Sequence, residues 1–263
     1  MICNLLLDIH PIVTNRFTHP LLTKSIYKYY LNFHTICLEY KTTNDQYMIL
    51  DINYTLRYAI QFNYIVVIKW CLKNGADVHE YDDFALRIAS KNGHLEIVKL
   101  LLEKSANIYA DGYDSLCTAS QNGHTEIVRF LLDRVSNIHE YYDFALRCAA
   151  ENGHIEIVRL LLEKGANIHA DNDFALRWAA QNGHLEIIRL LLNKGSNIHA
   201  QADYALRYAT LYGHVDVVKL LLVAGADVHA LNDHALQWAC EQGHMKIVKI
   251  LLQAGTNLKA NNS

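Results

Sequence analysis

Eleven of the fifteen histidines in this 263-residue chain fall into two ladders built on a 30-residue step. One comprises His94, His124, His154, His184, His214 and His244, each directly after a glycine. The other comprises His79, His139, His169, His199 and His229. Imidazoles in such number could ligate zinc or exchange protons near neutral pH. His94-Leu95-Glu96 also has the His-x-Glu order of a zinc deaminase, whose glutamate is the general acid and base. Neither chemistry is supported. A zinc ion holds imidazole nitrogens at about 2 Å, whereas equivalent residues on stacked helices stand about 8–10 Å apart. The deaminase signature also needs Pro-Cys-x-x-Cys. The six cysteines (Cys3, Cys37, Cys71, Cys117, Cys148 and Cys240) include no Cys-x-x-Cys pair. No phosphate-binding glycine loop or Gly-x-Ser-x-Gly elbow occurs either. The expectation is a protein without catalytic residues, metal or cofactor, in which each Gly-His imidazole hydrogen-bonds near a turn between two helices.

The elements that carry these residues follow from the period. Asn-Gly-His recurs at 92–94, 122–124, 152–154 and 182–184, then drifts to Tyr212-Gly213-His214 and Gln242-Gly243-His244. A strict period in this range means stacked supersecondary units rather than one globular core. Self-alignment gives seven units: 51–80, 81–110, 111–140, 141–170, 171–200, 201–230 and 231–260. Unit five is the clearest. Leu176, Ala179, Ala180 and Gly183 recur at the spacing of one helical face, with Asp173 as the expected N-cap and Gly183 as the stop. Leu185, Ile187, Ile188, Leu191 and Leu192 make the apolar stripe of a second helix. Glu186 and Arg189 form an i,i+3 pair outside it, and Gly195 falls where a left-handed C-terminal residue is needed.

Gly-His-Leu-Glu-Ile-Val-Lys-Leu-Leu-Leu (93–102), and the recurring Gly-Ala-Asn-Ile or Gly-Ala-Asp-Val that follows such stretches, resemble the ankyrin repeat. The resemblance covers 51–260, about four fifths of the chain. It implies an all-α, ankyrin-type solenoid of stacked helix-turn-helix repeats. Ankyrin units run about 33 residues and carry Thr-Pro-Leu-His; these run 30 and read Phe174-Ala175-Leu176-Arg177 there. The shortfall lies between His169 and Leu176, where the family places a β-hairpin finger, so the hairpin should shrink to a tight turn. This variant is similar to the 30-residue-repeat arrays of giant DNA viruses of amoebae. The resemblance implies a non-catalytic scaffold that binds a partner protein, inside the cell and in the cytoplasm, a host's if the chain is viral.

Ankyrin proteins bind through hairpin tips and first helices, which line a concave face. With the tips shortened, the first helices should carry the surface. Aromatic residues recur on one side of those helices, at positions 84, 88 and 91 and their equivalents. They can pack between neighbouring units or anchor an interface. The second role is best supported where the Asn-Gly-His pattern breaks. Trp178, Tyr204, Tyr208, Leu211, Tyr212, Leu231, His234 and Trp238 are the expected partner-binding residues. Arg57, Arg87, Arg147, Arg177 and Arg207 also recur, each four residues after a polar position that is Asp83, Asp143, Asp173 or Asp203 in four of the units. An i,i+4 pair within each unit accounts for them.

The net charge is −3 and no block of like charge occurs, which leaves no footprint for nucleic acid. No signal peptide or membrane span is read, so the expectation is a monomer with neither nucleic-acid nor membrane partner. Residues 1–50 read as a degenerate N-terminal cap or helical segment. The alternative is an adaptor that recruits a target to host machinery, such as a ubiquitin ligase, through 1–50. Residues 261–263 are a tail. Unit three departs most, with Tyr113, Asp114 and Val135 at the cap, aromatic and glycine positions, and is the expected weak link.

Overall fold

The computed structural model describes residues 52–108, 110, 115–134 and 139–261, with backbone alone over 139–142 and 256–261. The chain divides into Met1–Asp51 and Ile52–Ser263. Both readings of residues 1–50 therefore lie outside the described residues, as do Tyr113, Asp114 and Val135 of unit three. Among the described residues there are fourteen helices and no strand. In chain order they are α1 Ile52–Gln61, α2 Ile65–Lys73, α3 Glu80–Lys91, α4 Leu95–Glu103, α5 Ser115–Gln121, α6 Thr125–Leu132 and α7 His139–Glu151. Then follow α8 Ile155–Glu163, α9 Ala170–Gln181, α10 Leu185–Asn193, α11 Ala200–Leu211, α12 Val215–Val223, α13 Ala230–Glu241 and α14 Met245–Asn261.

Each odd-numbered helix packs on the odd-numbered helices of the neighbouring units, and most even-numbered helices do the same among themselves. The packing follows from residue size. Leu176, Ala179 and Ala180 in α9, and Ile188 and Leu191 in α10, are fully buried. Alanine at two of these places lets first helices approach closely, while the second helices fill the layer behind with branched side chains. Gly183 ends α9 with φ 78°, and Gly195 follows α10 with φ 96°, both as expected. Arg189 and Glu186 lie 3.5 Å apart on the solvent side.

The expected tight turn has an unusual form. Asp171, Asn172 and Asp173 are all left-handed, with φ of 51–55° and ψ of 42–56°. Tyr81–Asp83, Gln201–Asp203 and Leu231–Asp233 repeat it. This left-handed turn takes the place of the β-hairpin. A left-handed conformation costs an ordinary L residue roughly 1–2 kcal/mol, and aspartate or asparagine less. The turn persists because the side chains around it fix it.

Among the described residues the buried layer also holds hydroxyls without a partner. Ser90, Ser120 and Thr210 are fully buried, and their oxygens make no hydrogen bond. Units four and five place Ala150 and Ala180 at the same register, equally buried. Burying an unpaired hydroxyl costs about 1–3 kcal/mol. Ser90→Ala or Ser120→Ala should therefore raise unfolding stability by about 1 kcal/mol in urea titration. A loss of stability would show that the hydroxyl is satisfied in solution.

Candidate functional site

The two histidine ladders both join units, by different contacts. In the Gly-His series the ring reaches back to the preceding unit. Nε2–H of His124, His154, His184, His214 and His244 donates to the carbonyl of Lys91, Gln121, Glu151, Gln181 and Leu211, at 2.8–3.1 Å. Each of these carbonyls lies at the end of the preceding first helix, where no intrahelical donor is left. The ring lies over the preceding unit's glycine. A Cβ on Gly183 would stand 2.7 Å from His214 Nδ1, and one on Gly153 2.8 Å from His184 Cε1. The series fails at His94, whose Nε2 is buried without a partner; the unit before it carries Asn63 in the glycine's place.

The second ladder serves an aspartate. Nδ1 of His79, His169 and His199 donates to the carboxylate of Asp83, Asp173 and Asp203 at 3.1–3.2 Å. These three carboxylates are almost wholly buried. Each also accepts the backbone N–H of Asn107, Asn197 or Asp227, in the loop that leads out to the next unit, at 2.7–2.8 Å. The expected N-cap role of Asp173 is therefore corrected: the residue directly precedes the helical residues after the left-handed turn, but its carboxylate bonds to His169 and Asn197 rather than to first-turn amides. Its carboxylate ties the entry of one first helix to the entry of the next. The Arg–Asp pairing is corrected too. Arg177 donates from Nε to Asn172 O at 2.8 Å and from Nη2 to Asp171 O at 2.6 Å. Arg207 does the same to Ala202 and Gln201, at 2.8 and 2.9 Å. The arginines hold the carbonyls of the left-handed turn, while the aspartates are engaged elsewhere.

Seven of the eight expected partner-binding residues belong to units six and seven, and most of their rings adjoin. Tyr204 and Tyr208 stack with centroids 3.8 Å apart. Tyr208 meets Trp238 of the next unit edge-to-face at 5.3 Å. His234 lies 4.0 Å from Trp238, and Tyr212 lies 6.5 Å from Tyr208. Burial, then the neighbouring Tyr208, push the Tyr204 phenol up to about 12, so it is a neutral donor to Gln181 Oε1 at 2.8 Å. Trp178 stands apart, stacked on Phe174 at 5.1 Å. Leu211 is half-buried, while Tyr212 and Leu231 are 54% and 55% exposed. Tyr208 and Trp238 thus touch across units, while Tyr212 and Leu231, outside the register of positions 84, 88 and 91, face solvent.

A family model described as ankyrin repeats, in three copies, matches residues 56–142, 135–202 and 200–262. The chain belongs to the ankyrin repeat family. No curated protein matches it. Ankyrin repeats generally mediate protein–protein interaction and are typically non-catalytic scaffolds.

Among the described residues no cluster of three or more His, Cys, Asp or Glu could hold a metal ion. Burial pushes the Cys71 thiol up to about 12, far from a reactive thiolate. Among the described residues no helix is long and apolar enough to cross a membrane.

Sequence reasoning expected a hydrogen bond near a helix turn for each Gly-His ring, but not that its partner lies in the preceding unit, and it missed the role of the second ladder. The His-Asp link was legible as a His-x-x-x-Asp spacing repeated in step with the units. The cradle for the Gly-His ring carried no sequence signal, because it pairs residues 33 apart rather than 30. The asparagine of Asn-Gly-His also has work. Asn122 and Asn152 Nδ2 donate back to Thr118 and Cys148 carbonyls at 2.8 Å, and Asn182 donates to Glu151 O at 3.1 Å.

Proposed function

We propose that the chain is a non-catalytic scaffold that holds a partner protein against the first helices of its last three units. The residues are Trp178, Tyr204, Tyr208, Leu211, Tyr212, Leu231, His234 and Trp238. Tyr212 carries the reading. At its register three other units place an asparagine that closes a helix end by a hydrogen bond. Tyr212 gives that up and leaves an aromatic ring 54% exposed. Leu231 supports it, being an exposed leucine held at φ 51° where polar residues would fit more cheaply. Large rings with a polar tip are the side chains that most often anchor interfaces. The resemblance to viral arrays is the ground for expecting a host protein as partner.

Tyr212→Asn separates binding from folding. It should leave the melting temperature unchanged or higher while lowering partner capture by about tenfold or more. A photo-crosslinking residue at 212 should also trap the partner, whereas one at Val223, 87% exposed at the end of a second helix, should not. Equal trapping at both sites, or undiminished capture by Tyr212→Asn, would reject this face.

A further inference from the structure

The recurrent arginines are not equally neutralised. Arg57 pairs with Glu80, and Arg147 Nη1 lies 3.5 Å from Asp171 Oδ2. Asp171 lies in the left-handed turn of the following unit, and Glu80 directly precedes the turn Tyr81–Asp83 that opens unit two. The spacing from Arg147 to Asp171, carried forward from Arg177 and Arg207, lands on Gln201 and Leu231. So the carboxylate disappears in two consecutive units, beside the aromatic cluster.

Nothing else among the described residues replaces it. The hydrogen-bond partners of Arg177 and Arg207 are all backbone carbonyls, reached through Nε and Nη2. Nη1 of each makes no hydrogen bond among the described residues. Asp203 is occupied by His199 and the Asp227 N–H, and Asp233 by His229. Arg207 is only 8% exposed. Its guanidinium lies 5.8–5.9 Å from the Tyr204, Tyr208 and Trp238 ring centroids, and that of Arg177 lies 5.2 Å from Tyr204. Ring faces attract a cation but do not neutralise it. A buried charge without a counter-ion is costly, and supplying the ion recovers that cost.

We propose that units five to seven recognise an acidic peptide segment, whose carboxylates take the places left by Gln201 and Leu231 while an adjoining apolar side chain lies on Tyr212 and Leu231. The inference rests on the scaffold reading above and adds the chemistry of the partner. Carboxylate and guanidinium form charge-assisted, often bidentate pairs, and uncovered guanidiniums repel lysine- and arginine-rich segments. The absence of any basic stretch in the sequence favours peptide over nucleic acid.

The test uses the full chain and a phage-displayed library of random short peptides. Selected peptides should be rich in Asp or Glu next to aromatic or aliphatic residues. For one such synthetic peptide, followed by fluorescence anisotropy, Leu231→Asp should weaken binding by about tenfold or more by restoring the internal carboxylate. Leu231→Asn, equally polar but uncharged, should weaken it much less. Replacing the peptide's acids with amides should abolish binding. Neutral or basic selected peptides, equal effects of Leu231→Asp and Leu231→Asn, or stronger binding of a single-stranded oligonucleotide at the same site would overturn the proposal. If acid dependence fails but Tyr212→Ala and Trp238→Ala still abolish binding, the scaffold reading stands and this one falls. Binders indifferent to all of these substitutions overturn both.

Discussion

Gly183→Ala is expected to lower the stability of the array by roughly 2–5 kcal/mol. Two effects add. Gly183 has φ 78°, where a Cβ costs about 1–2 kcal/mol. The new methyl would also stand 2.7 Å from His214 Nδ1, closer than real contacts permit. The ring must move, breaking its 2.8 Å bond to the Gln181 carbonyl. An orphaned helix-end carbonyl adds about 1–3 kcal/mol. Gly195 supplies the control, with φ 96° but open space beyond it, so Gly195→Ala should cost only the backbone term. The combination with His214→Ala is decisive. Once the ring is gone, Gly183→Ala should cost little more than Gly195→Ala, a positive coupling readable from urea unfolding of the four variants. Additive losses would mean that glycine and ring do not act together.

Asp173→Ala should cost roughly 3 kcal/mol, most of it from what the carboxylate leaves behind. Its side chain is 6% exposed and accepts from Asn197 N at 2.7 Å and from His169 Nδ1 at 3.1 Å. Removing it strands a backbone donor in a loop that links two units. Asp233 has the same histidine partner but a side chain 50% exposed, so Asp233→Ala should cost markedly less. In a stacked array the damage should be local. Hydrogen exchange should accelerate around 169–200, while α3 and α4 keep their protection. Uniform loss of protection would show that the array unfolds as one block.

The fold was legible because its signals are repeated. A glycine in one unit could be chance, but a glycine before histidine in six units fixes the register, the helix ends and the layers. The candidate site was legible by contrast: Tyr212 stands out only because other units read asparagine. The sequence misled where one residue had two plausible partners. Asp173 can cap its own helix or reach the next loop, and Arg177 can pair with Asp173 or with the turn's carbonyls. Local spacing favours the first choice each time. The left-handed turn reverses both, because it points the aspartate inward and presents two carbonyls to the guanidinium. Nothing in residue type announces three left-handed residues in succession, especially where one is Ala202 or Leu231.

From unit two onward each joint has a socket, glycine plus helix-end carbonyl, and a plug, histidine from the following unit. Units two to seven carry both parts in the same register, so a copied unit fits against its own parent with no further adjustment. Such a chain can lengthen by duplicating segments of its gene, each copy foldable on arrival. The side chains of Gln201, Tyr212 and Leu231 are neither plug nor socket. They are free to diverge after duplication, so new partners can be acquired one unit at a time without disturbing how the units hold together.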